Sequence, residues 1–227
     1  VETDIETYKT PTVYEGDTKN FALIPVDLKT RCGEHNIKIS LSDSVFEFKV
    51  NVSSVSNGFA MKNIGAEIYN TVNSPNGISE NEKFISSLVS KTNSQFLWEN
   101  STFSNPVDGE IDTGFAWEVL YNGAPPQVLF EGNSFGVPEK TSVKSAAKGK
   151  VIFSGETSKT GKAVVIDHGC GIMSHYYHLS VLSATVGEEI DANKLVALSG
   201  KTGYTDKADL YFAVSINGVY VNPDLFK

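Results

Sequence analysis

Residues 149–155 (GKVIFSG), 162–169 (KAVVIDHG), 172–180 (IMSHYYHLS), 194–200 (KLVALSG) and 209–221 (DLYFAVSINGVYV) are short apolar runs set apart by turn-forming residues. Val151, Val164, Val165, Ile166, Leu195 and Val196 are the apolar positions of successive strands. Runs of this length at this spacing predict a compact antiparallel sheet or sandwich. Asn217-Gly218 sits between two such runs and predicts a two-residue hairpin turn, because both residues tolerate positive φ. The stretch from Lys148 to the end therefore reads as all-β.

Upstream the pattern is β again, with one interruption. Asn20–Asp27 (NFALIPVD) reads as a strand and Lys29–Glu34 as a loop. Asn36–Leu41 alternates, and in Val45–Val52 the residues Phe46, Phe48, Val50 and Val52 fall on one face, the mark of a sheet with one buried side. Ser42-Asp43-Ser44 joins these two strands into a hairpin. The turn-forming segment Thr71–Ile78 precedes a helix signal. Ser79 stands before Glu80 and Glu82, with Phe84, Ile85, Leu88 and Val89 at helical spacing, so a short helix is predicted near 79–90. A boundary near Lys91–Asn100 divides the chain into an N-terminal β module, 1–95, and a C-terminal β domain, 96–227. There is no internal repeat and no low-complexity tract.

Composition narrows the class. The 227 residues carry 19 Lys+Arg against 27 Asp+Glu, so 19 − 27 gives −8, which argues against a nucleic-acid binder needing a basic face. No run approaches the roughly 18 apolar residues of a spanning helix, so membrane association would need a segment not present here. Val1 in place of Met, with no basic stretch leading into an apolar one, reads as a mature or trimmed chain without its targeting segment. Cys32 and Cys170 are too few and too distant to form a disulfide framework.

Three of the four histidines, His168, His175 and His178, cluster, whereas His35 stands apart. In a regular strand positions 175 and 178 point to opposite faces and make a poor chelating pair. His168 is expected to cap a hairpin, His175 to lie on the solvent side and His178, between Tyr177 and Leu179, to face a cleft. Gly169-Cys170-Gly171 reads as a hairpin tip rather than a thiol nucleophile. The acidic residues form no calcium loop, and there is no phosphate-cradling glycine loop or Gly-x-Ser-x-Gly elbow.

The ordered set of motifs from about residue 96 onward resembles the lysostaphin/LytM-type zinc endopeptidases, which cleave peptide cross-bridges of bacterial peptidoglycan. The resemblance rests on Trp98–Pro106, Val137–Ser145, Gly149-Lys150-Val151 and Gly161–Gly169. It continues through Tyr177-His178-Leu179, Val186-Gly187, Leu198–Gly203 and Asn222-Pro223. It implies a small antiparallel β domain with a groove across a sheet. It also implies zinc, held in that family by an H-x-x-x-D motif and the second His of an H-x-H motif.

Carried over residue by residue, the ligand positions are changed here. Phe130 falls at the first ligand, Ser134 at the Asp, Asp209 at the first His of H-x-H and Tyr211 at the last ligand, while His178 is retained. Catalytic zinc takes about three N, O or S ligands. Phe130 has no lone pair, and no His lies between His35 and His168 in any register. The resemblance with these changes implies a non-catalytic, extracytoplasmic cell-envelope domain without a metal cofactor. Such a domain binds peptidoglycan peptides or a protein partner, as scaffold or hydrolase regulator, with His178 and Asp209 vestigial. The alternative is an active zinc metalloendopeptidase with unusual ligands.

Overall fold

The computed structural model describes residues 1–5, 9, 11–15, 19–54, 58–97 and 102–227, with the side chains of 126 and 127 outside that description. Trp98, the start of the lead-in motif, lies outside the described residues. In chain order the first strands are β1 (Glu2–Thr3), β2 (Val13–Tyr14), β3 (Phe21–Ala22), β4 (Gly33–Leu41), β5 (Ser44–Val52) and β6 (Phe59–Lys62). Two helices follow, α1 (Ala66–Asn73) and α2 (Pro75–Val89). Then come β7 (Ile111–Thr113), β8 (Glu118–Tyr121), β9 (Ala124–Leu129), β10 (Asn133–Phe135), β11 (Ser142–Lys144) and β12 (Gly149–Thr157). The last strands are β13 (Gly161–Gly169), β14 (Ile172–Leu182), β15 (Glu189–Ile190), β16 (Leu195–Ser199), β17 (Leu210–Ile216) and β18 (Val219–Val221).

The C-terminal strands make one antiparallel sheet in the order β15-β12-β13-β14-β17-β10-β7, with β16 and β11 branching from β14 and β18 from β17. Both faces of its centre are covered. Val164, Ile166, Tyr176, Phe212 and Val214 pack into one core, and Ala163, Val165, Met173 and Tyr177 into a second with Phe84 and Leu88 of α2. That explains why β13 reads Ala-Val-Val-Ile rather than alternating: a strand buried on both sides needs apolar residues at every position. The Asn217-Gly218 turn has φ of 51° and 83°, and Cys170-Gly171 has 52° and 80°, so both hairpins close with two left-handed residues.

The N-terminal part departs from expectation in three places. The helix starts earlier than Ser79. Ser74 is the N-cap, its hydroxyl accepting from the Gly77 N–H at 3.1 Å, and Pro75 occupies the first turn, where its missing N–H costs no bond. Thr71–Ile78 is therefore the end of one helix and the start of the next. Gly77 belongs there because a Cβ would stand 2.2 Å from the Thr71 carbonyl oxygen. The Asn20–Asp27 strand shrinks to Phe21–Ala22, with Pro25 three residues on.

The third departure concerns the hairpin of β4 and β5. It forms in the register Ile37↔Phe48 and Ile39↔Phe46, but its apolar face is not buried. Phe46 and Phe48 are 47% and 50% exposed. Period-two alternation specifies which residues share a face, and not that a second layer exists to cover it. Here α2 packs on the central sheet instead.

One pairing links distant parts of the chain. β6 lies parallel to β8, with Lys62 beside Tyr121, and β8 pairs antiparallel with β9, which leads into Phe130. A residue of the first hundred is thereby placed next to the segment carrying the changed ligand positions.

Candidate groove site

The site is organised by an irregularity in β14. Between Val164↔Tyr176 and Lys162↔Leu179 the partner strand advances two residues and β14 three, so β14 carries one extra residue. His178 sits in this bulge with φ of +65°, unusual for a residue with a Cβ, and its N–H leaves the ladder to bond the Thr160 carbonyl at 3.0 Å. The bulge turns His178 to the side on which Tyr177 already lies. This corrects the opposite-face expectation for 175 and 178, which assumed an unbroken period of two.

His178 Nδ1 meets Asp209 Oδ1 at 2.7 Å. The Ser134 hydroxyl donates to Asp209 Oδ2 at 2.7 Å, and the Thr205 hydroxyl to Oδ1 at 3.2 Å. Burial raises the Asp209 carboxyl, but the His178 imidazole, the Ser134 hydroxyl and the Lys62 charge together bring it below the usual carboxylate value. An ionised carboxylate only accepts, so Nδ1–H of His178 donates.

An aromatic wall stands beside this cluster. Phe130 and Tyr211 meet edge-on at 5.1 Å between centroids, Tyr211 stacks on Tyr177 at 5.4 Å, and the His178 ring is 5.8 Å from Tyr211. Behind it the Tyr177 hydroxyl meets His175 Nδ1 at 2.8 Å, and His175 Nε2 meets the Ser215 hydroxyl at 2.8 Å. His175 is thus buried and not on the solvent side, and burial pulls its pKa down to about 3. The outward reading failed because it treated the sheet as one-sided, whereas the second core covers that face.

His168 is also buried, its ring spanning the Lys148 carbonyl at 2.8 Å and the Ser174 hydroxyl at 2.8 Å across the hairpin. Cys170 sits at the hairpin tip, where its thiol donates to the Ser94 carbonyl and burial pushes it up to about 11. A thiol held there is a poor nucleophile. His35 is on β4, between Asp4 and the Arg31 carbonyl, away from the groove residues named above.

The five positions carried over from the endopeptidases, Phe130, Ser134, His178, Asp209 and Tyr211, therefore converge. Their donor set does not suit zinc. Phe130 offers no lone pair, the Ser134 hydroxyl is spent on Asp209, and burial holds the Tyr211 phenol well above its ordinary value, so that it stays protonated. Among the described residues no group of three or more His, Cys, Asp or Glu side chains is placed to hold a metal ion.

The groove beside them is a cavity of about 690 Å³ whose lining includes Val72 and Ile78 of the helices, Lys62, Phe130, His178 and Tyr211. Lys62 and the helical wall were missed by sequence reasoning. Phe59-Ala60-Met61-Lys62 carries no motif, and only the parallel β6–β8 pairing brings its lysine here.

Residues 129–223 match the family described as Peptidase family M23. Murein hydrolase activator EnvC of Escherichia coli is 34% identical over 97 residues, 43% of this chain and 23% of that protein. Peptidoglycan DD-endopeptidase ShyA of Vibrio cholerae is 31% identical over 119 residues, 52% of this chain and 28% of that protein. The chain thus spans about a quarter of the length of these two relatives. A crystal structure of a Pseudomonas aeruginosa protein assigned to the M23 peptidases has the same fold, with a TM-score of 0.68 at 23% identity, over 95% of this chain and 82% of that one. The family thus includes both a peptidase and a hydrolase activator. No helix among the described residues is long and apolar enough to cross a membrane.

Proposed function

We propose that this chain is a non-catalytic M23 module of the bacterial cell envelope, outside the cytoplasm. It works without a metal cofactor and binds peptidoglycan peptides or a partner protein, as scaffold or regulator of a hydrolase. One observation carries the reading: the carboxylate of Asp209 is satisfied internally by Ser134, Thr205 and His178, beside an aromatic Phe130–Tyr211 pair. Nothing in that arrangement would lower the pKa of a bound water towards neutrality, the role a catalytic zinc plays. His178 acts as a structural partner of Asp209 with its Nε2 available to a bound peptide. The likeness to a hydrolase activator supports the regulatory side of the reading.

The test is metal analysis of the purified protein together with incubation on isolated sacculi. Substoichiometric zinc, no release of peptide fragments and co-sedimentation with sacculi, or stimulation of a murein hydrolase, are the expected results. About one zinc per chain with cross-bridge cleavage would establish the endopeptidase instead.

A further inference from the structure

Lys62 is a lysine only 5% exposed, on the wall of the groove. Its Nζ lies 5.4 Å from the centroid of the Phe130 ring, over the residue at the first-ligand position. Among the described residues no carboxylate comes within ion-pair distance of it, and it makes no side-chain hydrogen bond. Asp209 feels the Lys62 charge, but both its oxygens are committed elsewhere. Tyr121 and Tyr211 line the same cavity, and their hydroxyls also make no hydrogen bond within the described residues. The face of a phenyl ring is a partial partner for an ammonium. Lys62, Tyr121 and Tyr211 line one cavity, and none of their polar atoms is both buried and unpartnered, so solvent in the groove reaches all three donors and an acceptor on a ligand would take its place.

We propose that Lys62 anchors a carboxylate-binding subsite in the groove, which takes a short peptide by a free carboxylate, with Tyr121 and Tyr211 donating to the same group. The proposal deepens the peptide-binding reading above and rests on it. A single ammonium matches a single negative charge, which favours a carboxylate over a dianionic phosphate. Glu131 and Glu82 also line the cavity, while Lys29 and Lys159 are exposed at it. The acidic pair disfavours a second negative charge on the ligand. The cell-wall peptide is the source we favour, because the relatives of this chain include a peptidoglycan DD-endopeptidase.

The experiment is calorimetric titration of the unaltered chain with N,N′-diacetyl-L-lysyl-D-alanyl-D-alanine, with its C-terminal amide and with N-acetyl-L-glutamate blocked as its α-amide, so that one carboxylate remains. The acid should bind at least about tenfold more tightly than the amide, as expected when a charge-assisted hydrogen bond is lost. Lys62→Met should bind acid and amide alike, and Lys62→Arg should keep the preference, with melting curves confirming that each variant folds. The acid–amide comparison on the unaltered chain decides the matter even if a variant misfolds. Suppose neither tripeptide binds, while the blocked glutamate binds the unaltered chain and not Lys62→Met. The subsite then stands, the cell-wall peptide reading falls, and an acidic segment of a partner protein supplies the carboxylate. Equal binding of acid and amide with no binding of the blocked glutamate overturns the proposal. So does undiminished carboxylate binding by Lys62→Met.

Discussion

His178 Nδ1 and Asp209 Oδ1 stand 2.7 Å apart, and the other oxygen of the same carboxylate takes the Ser134 hydroxyl. His178 and Asp209 thus hold each other, and Ser134 bonds the same carboxylate. The cluster is self-satisfied, and it ties β10, β14 and the segment before β17 together.

Removing Asp209 should therefore damage folding. Asp209→Ala leaves the Ser134 hydroxyl and His178 Nδ1 without their acceptor in a buried place, while the Thr205 hydroxyl keeps the Lys207 carbonyl. We expect a loss of about 3 kcal/mol or more, the usual cost of breaking a buried charged pair. Asp209→Asn, which keeps one acceptor, should cost less. Urea denaturation with an unchanged m-value is the measurement, and a loss below about 1 kcal/mol would count against the cluster as a structural element.

Acid should weaken the fold before the carboxylates titrate. Burial lowers His168 to about 4 and His175 to about 3, from 6.5 in the free side chain. Both are neutral when folded, so below 6.5 the unfolded chain binds the extra protons. Stability is fully present above 6.5 and falls as pH drops towards 4 for His168 and 3 for His175. Over its whole window His168 accounts for about 3 kcal/mol and His175 for about 5 kcal/mol. Asp209 acts lower. Its folded value lies under 3.8, so its contribution is present above 3.8 and is lost only as pH falls through that folded value. Melting temperature followed from pH 7.5 to 4.5 should fall throughout the acid limb, and His175→Phe, if folded, should flatten it.

The exposed ribbon should tolerate polar residues. Phe46→Ser and Phe48→Ser should each change stability by no more than about 0.5 kcal/mol, because half of each side chain already meets solvent. Leu88→Ala on α2, buried against the sheet, should cost about 2–5 kcal/mol. Equal losses at the two places would mean that the ribbon face is covered after all.

Rebuilding the ligand set is the strictest check on the carried-over positions. Phe130→His, Ser134→Asp, Asp209→His and Tyr211→His together place three ligands of the right kind around one point beside His178, and should bind zinc. Lys62 would then lie close to a divalent cation. Adding Lys62→Met should tighten zinc binding further, because it removes a positive charge from beside the cation. Hydrolysis should be weak or absent, since the second shell that orients ligands typically accounts for 10–100-fold and is not rebuilt. A folded fourfold variant that takes up no zinc would disprove the alignment.

Local chemistry made most of the C-terminal sheet readable. The Asn217-Gly218 turn and the runs Val164–Ile166 and Leu210–Val214 each carry their structure in adjacent residues. Those runs, with the Tyr177-His178-Leu179 motif, set the register that singled out Phe130, Ser134, His178, Asp209 and Tyr211, and the structure brings these five side chains together. What escaped was set by tertiary context. Alternation in β5 named a face but not its cover. The extra residue at His178 has no sequence mark, because positive φ usually announces itself through Gly or Asn. α1 was hidden because its last residues, with Ser74-Pro75 after them, look like a turn when read without the second helix. Lys62 was invisible because its role depends wholly on a strand more than fifty residues further along.

That same parallel pairing carries a kinetic consequence. Phe59 meets Glu118, a separation of 118 − 59 = 59 residues, whereas β12, β13 and β14 join through short hairpins. Closing so long a loop costs chain entropy before any contact rewards it, so local hairpins zip first and the parallel pair last. A refolding chain thus acquires its central sheet, with His175 already sequestered, while the groove still lacks a wall. The pocket is born in the final step, and recognition by this protein matures later than its compactness does.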